Sequence, residues 1–72
     1  MTNTALLEEL IQASGYRKSY IAKVLNISVN CLTSKIRGKY EFKGDEIYDL
    51  CKLLRIDDLA LKEQVFFAPK VD

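Results

Sequence analysis

Apolar positions along this chain recur at helical rather than strand spacing, and they do so in five separate stretches. In the first, about Thr4 to Ser14, Leu6, Leu7, Leu10, Ile11 and Ser14 fall at the i, i+3, i+4 spacing of one helix face. Asn3 precedes it as an expected N-cap, Glu8 and Glu9 lie toward its positive dipole end, and Gly15 follows as a left-handed stop. A second, shorter stretch from about Lys18 to Leu25 carries Ile21, Ala22, Val24 and Leu25. Asn26 then suits a left-handed turn position, because its short polar side chain tolerates positive φ. Ser28 is placed to cap a third helix of about Val29 to Arg37, with Leu32 and Ile36 facing inward and Gly38 at its end.

Lys39 to Lys43 reads as a loop in which Phe42 is an apolar plug. The fourth helix, about Gly44 to Leu54, has Ile47, Leu50, Cys51 and Leu54 at i, i+3, i+4 and i+7. Its acids Asp45 and Glu46 come first and its bases Lys52 and Arg55 come last, which suits the helix dipole. A short fifth helix is expected from Asp57 or Asp58 through about Glu63. After it the character changes. Val65, Phe66 and Phe67 are β-formers and Pro69 cannot continue a helix, so residues 64–72 read as an extended C-terminal tail. The two phenylalanines are expected either to pack on the core or to be buried by another molecule. The pattern as a whole predicts an all-α fold: a compact five-helix domain over residues 1–63, with residues 64–72 as its tail.

Composition narrows what such a domain does. Seventy-two residues allow one small core and little room for a separate substrate lobe. Apolar residues are 49% and charged residues 29% of the chain, which is globular composition. There is no His, so the commonest general base and metal ligand is missing, and Cys31 and Cys51 are too few and too far apart for a zinc site or a disulfide scaffold. The three glycines are isolated and form no phosphate loop. An enzyme is therefore not expected, nor a metal or cofactor. No apolar run approaches the roughly 20 residues that span a bilayer, and the N-terminus has no signal-peptide pattern, so a cytoplasmic protein is expected. Cys51 sits on the apolar stripe of the fourth helix as a small core residue, whereas Cys31 is expected to be partly exposed.

The stretch from Lys18 to Arg37 meets the demands of a helix-turn-helix. Ala22 is small where two helices must cross, Asn26 permits the turn, and Ile21, Leu25, Ile27 and Leu32 are apolar where the pair must lock. A generic helical hairpin would meet some of the same demands.

Here the sequence resembles the Cro/repressor-type helix-turn-helix regulators of phages. The resemblance rests on G-Y-x-x-x-x-I-A-x-x-L-x-I-S at Gly15 to Ser28, L-T-S-K-I-R-G-K at Leu32 to Lys39, Phe42, and E-I-x-x-L at Glu46 to Leu50. It covers about Leu7 to Leu59. Asn26 stands where the family usually has glycine, and Lys35 stands at an often apolar position, with Ile36 taking the inward role. Within the family the chain is similar to the modulators of repression, small proteins that face a lysogeny repressor in a two-gene switch.

The resemblance implies that the third helix enters the major groove of operator DNA. Val29, Asn30, Thr33 and Ser34 would then read bases, with Asn30 suited to adenine N6 and N7 and Val29 to a thymine methyl. Arg17, Lys18, Ser19, Lys35, Arg37, Lys39 and Lys43 would contact phosphates. It also implies a homodimer on a palindromic site, with Val65, Phe66 and Phe67 at the contact between copies or with a partner. The alternative it implies is an anti-repressor that binds a phage repressor, for which Asp45, Glu46, Asp49, Asp57 and Asp58 are candidate contacts.

The net charge of +1 hides a division along the chain. Residues 15–43 hold seven bases and one acid, residues 1–14 hold two acids, and residues 44–72 hold four bases and seven acids. The motif is thus a basic segment on an acidic body, the electrostatic footprint expected of phosphate binding.

Overall fold

Three of the five helices begin on a capping side chain, and three end on a left-handed residue. The computed structural model describes residues 1–67, and in it α1 spans Thr4–Ser14, α2 Lys18–Leu25, α3 Val29–Ile36, α4 Gly44–Leu54 and α5 Leu59–Phe66. The Asn3 side chain accepts from the Leu6 N–H at 3.1 Å to start α1. Ser28 Oγ accepts from the Cys31 N–H at 3.0 Å to start α3, and Asp58 Oδ1 accepts from the Ala60 N–H at 3.0 Å to start α5. The sequence reading of Asn3 and Ser28 as caps therefore holds, as does Asn26 in the left-handed region at φ 59°. Arg55 adopts the same conformation at φ 58° to end α4. Nothing in the residue type announced that stop; Arg55 reads more naturally as a cation near a helix C-terminus.

The five helices enclose one core. Leu7 and Ile11 of α1, Ile21, Ala22 and Leu25 of α2, Leu32 and Ile36 of α3, and Ile47, Leu50 and Cys51 of α4 are all buried. Phe42 enters from the link between α3 and α4, as a plug should, and Ile56, Val65 and Phe66 close the far side. Helix α2 packs on α3 and α4, and α1 packs on α3, α4 and α5. Val24, placed on the apolar stripe of α2 by spacing, is instead exposed; the stripe that meets the core is Ile21, Ala22 and Leu25. No helix among the described residues is long and apolar enough to cross a membrane.

The C-terminal region differs from the extended tail expected from residue 64 onward. Helix α5 runs to Phe66, three residues beyond the expected end at Glu63. Burial overrides β-propensity here: Val65 and Phe66 are almost wholly buried, and a helical turn is what brings both to the core. The Asn3 N–H donates to the Val65 carbonyl at 2.7 Å, which ties the N-terminus to this last turn. Pro69 restricts its predecessor rather than residues 64–66, so it does not oppose the helix. The rest of the expected tail, residues 68–72, lies outside the described residues.

Candidate nucleic-acid interface

Ala22 lies where α2 and α3 pack together across their short turn. Only 2% exposed, it leaves room for α3 to close on α2. Its carbonyl accepts from the Ile27 N–H at 3.0 Å, which folds the turn back on α2, while the Asn26 N–H reaches the Lys23 carbonyl at 3.1 Å. The chain then leaves the turn extended at Ser28 and re-enters helix with its cap already in place. Leu32 and Ile36 anchor α3 beneath.

That anchoring leaves the N-terminal end of α3 uncovered. Val29 is 44% exposed and Asn30 is exposed, whereas Thr33 and Ser34 are half-buried. Asn30, Thr33 and the C-cap Arg37 follow one another at helical spacing, so two of these side chains share a face with Arg37. An exposed Val at a helix start is unexplained by the chain's own packing and is suited to an apolar contact such as a thymine methyl.

The expected phosphate contacts separate into three groups. Arg17, Ser19, Arg37, Lys39 and Lys43 are exposed, and Lys23, not singled out among the expected contacts, is exposed with them. Lys18 is half-exposed and pairs with Glu8 of α1 at 3.0 Å. Both partners stay solvated, so the pair is worth no more than about 1 kcal/mol and does not prevent Lys18 from meeting another anion.

Lys35 is the correction. It is 6% exposed and its Nζ donates to Glu46 Oε1 at 2.5 Å, so it is not a phosphate contact. Position 35 lies three residues after Leu32 and one before Ile36, on the inward arc of α3. That periodicity was visible in the sequence; the cationic residue type masked it. Burial alone would raise the Glu46 pKa, but the hydrogen bonds from Lys35 and from the Lys43 N–H, with both lysine charges, outweigh it and hold the carboxyl below its ordinary value. Glu46 is likewise withdrawn as a candidate partner contact, because its carboxylate is spent inside the chain. The other acids, Asp45, Asp57 and Asp58, are exposed and Asp49 is half-buried.

Val65 and Phe66 are also corrected as contacts between copies or with a partner. At 0% and 2% exposure they belong to this chain's own core. Phe67, at 57%, is the one of the three with its surface open.

The sequence reading missed an aromatic rim. Tyr16 and Tyr20 stack with ring centroids 5.3 Å apart, and both are more than two-fifths exposed. Tyr40 is exposed on the link after α3, with Lys39 Nζ 5.7 Å from its ring centroid. Tyr16 lies two residues before α2 begins, so helical spacing does not account for the pair. Cys51 is buried, and that burial pushes its thiol pKa up against the opposing charge of Lys62, which suits an inert core thiol. No family model, no curated protein and no solved structure matches the chain.

Proposed function

We propose that this chain is a small transcriptional regulator of a phage-type genetic switch, working in the host cytoplasm, and that its α2–α3 face binds operator DNA. The observation that carries the reading is the exposed N-terminal end of α3, with Val29 and Asn30 uncovered, on a segment whose Arg17, Lys23, Arg37, Lys39 and Lys43 are exposed as well. Helix α3 would lie in the major groove, Asn30 and Val29 would meet base edges, and the cations would meet phosphates. One module of this size buries little surface, so two copies on a palindromic site would be needed for tight binding. The test is fluorescence anisotropy of the purified chain with duplexes drawn from the DNA around its own gene, over a salt series. Sequence-selective binding with a steep salt dependence supports the reading. Equal affinity for scrambled duplexes at every salt concentration removes it.

A second reading has its own observation in its favour. Seven bases were counted on the motif, but Lys35 is buried and Lys18 is paired, while Tyr16, Tyr20 and Tyr40 are exposed around the same elements. Exposed tyrosines and arginines are residue types enriched in protein-binding surfaces. In this reading the chain is an anti-repressor that binds a partner repressor and keeps it from its operator. Calorimetric titration against the repressor encoded beside it separates the two. Tight binding that is lost in Tyr16→Ala with Tyr20→Ala, yet kept in Asn30→Ala, favours the protein partner.

A further inference from the structure

The link between α3 and α4 carries three exposed cations, Arg37, Lys39 and Lys43, within seven residues. Such a link is ordinarily the most pliable part of a helical domain. Here it is held at three points. At its start, the Arg37, Gly38 and Lys39 N–H groups donate to the carbonyls of Thr33, Lys35 and Ser34 at 2.9 to 3.1 Å. Near its far end, beside Lys43, Phe42 is 7% exposed and packs into the core. At its end, the Lys43 N–H donates to Glu46 Oε1 at 2.8 Å.

That same oxygen accepts from Lys35 Nζ. A single carboxylate oxygen therefore joins the last turn of α3 to the first turn of α4, across the base of the link. Both side chains are at least nine-tenths buried, and no buried side-chain polar atom among the described residues lacks a partner. Methionine at position 35 with glutamine at position 46 would fill the same space without the cost of burying two charges. What a charged strut adds over an apolar contact is direction, since its hydrogen bonds accept only a narrow range of positions.

We propose that Lys35 and Glu46 are positioning residues that hold Arg37, Lys39 and Lys43 as one pre-set phosphate-binding arc beside α3. The inference rests on the DNA-binding reading and deepens it: it assigns the link, rather than Lys35 itself, to the phosphates. Holding the arc before binding removes part of the ordering cost that a loose link would incur at the DNA.

The test uses the full chain. Lys35→Ala alone is a poor probe, because it strands a buried carboxylate and unfolding would imitate the expected effect. The double variant K35M/E46Q keeps an acceptor for the Lys43 N–H, fills the space at position 35 and removes only the charged strut. Two readouts are taken. Amide hydrogen exchange at Lys39 and Lys43 is expected to quicken about tenfold or more while the amides of Leu32 and Leu50 keep their protection. Affinity for the selected duplex is expected to fall about tenfold at low salt with the slope of log affinity against log salt unchanged, whereas Arg37→Ala and Lys39→Ala each lower that slope by about one. Unchanged exchange at Lys39 and Lys43 overturns the proposal. So does a K35M/E46Q slope that falls as far as that of Arg37→Ala, since Lys35 would then be touching phosphate. If the wild-type chain selects no duplex at all, the DNA reading is what fails, and the exchange rates alone still decide whether the strut shapes the link.

Discussion

Phe42 and Phe66 meet edge to face, their ring centroids 5.7 Å apart and their planes at 84°. One ring comes from the link between α3 and α4 and the other from the last turn of α5, so this contact joins the link to the last helix inside the core. It also decides what the C-terminal phenylalanines are for. Adjacent in sequence, Phe66 and Phe67 differ completely in surroundings: one is buried to 2% and the other is 57% exposed.

Phe66→Ala is accordingly expected to cost about 3–5 kcal/mol through lost burial and the cavity left behind. A domain of this length has a total stability of roughly 4–10 kcal/mol, so the variant loses about a third or more of it. Phe67→Ala is expected to change stability by less than about 0.5 kcal/mol, because it removes little buried surface. Urea denaturation followed by circular dichroism compares them. Similar midpoints for the two variants would contradict the assignment of Phe66 to the core. It follows that, of Val65, Phe66 and Phe67, the last is the one to use in probing this end of the chain as a contact surface.

The left-handed residues make a second, oppositely signed pair of expectations. Asn26 and Arg55 sit at φ 59° and 58°, and a β-branched residue there is strained by about 1–2 kcal/mol. Asn26→Val should therefore lower the thermal midpoint. Arg55→Gly should raise stability by about 0.5–1 kcal/mol, the relief of strain exceeding the added freedom of the unfolded chain. A fall in midpoint for Arg55→Gly would mean that the Arg55 side chain makes a contact that outweighs its backbone strain.

These residues also show where the sequence was legible. The caps Asn3 and Ser28, the turn at Asn26 and the plug Phe42 could be read because each is a local solution to a local problem, with a residue type suited to it. So could Leu32, Leu50 and Ile47, whose spacing and apolarity agree. Reading failed where a residue type and its position point in opposite directions. Lys35 sits on the inward arc but is cationic, and the partner that reconciles it, Glu46, is eleven positions away. Val65 and Phe66 are β-formers drawn into a helix by a core that no local window contains. The candidate interface was legible in part for the same reason: Asn30 and Arg37 are exposed as their spacing implies, whereas the exposure of Tyr16, Tyr20 and Tyr40 emerged only with the fold, although Tyr16 lies within the Gly15 to Ser28 motif.

The buried ion pair carries a pH dependence. Glu46 has its pKa lowered by folding, so its contribution to stability is fully present above the ordinary value of about 4.5 and is lost as pH falls through the lower folded value. Stability should thus fall with acid below about pH 4.5, and more steeply in the wild type than in Glu46→Gln, which has no proton to take up at that position. Urea midpoints measured across the acid range in both proteins give the answer. Parallel curves would show that Glu46 does not hold its depressed pKa in the folded chain.

The last prediction separates base reading from phosphate binding on α3 itself, using Asn30 and Arg37, which are seven residues apart on one face. Asn30 is uncharged, so Asn30→Ala releases no additional counterions. Its effect should be a loss of about 1–3 kcal/mol confined to duplexes with the preferred base at one position, with the salt slope intact. Arg37→Ala should instead weaken binding to all duplexes alike and reduce the slope by about one. Both residues are exposed, so neither change should move the unfolding midpoint by more than about 0.5 kcal/mol. Competition binding of each variant against a set of single-base-changed duplexes, repeated at several salt concentrations, distinguishes the two. If Asn30→Ala lowers affinity uniformly and without base preference, α3 is not reading sequence, and the exposed end of the helix is better explained as a surface for a protein.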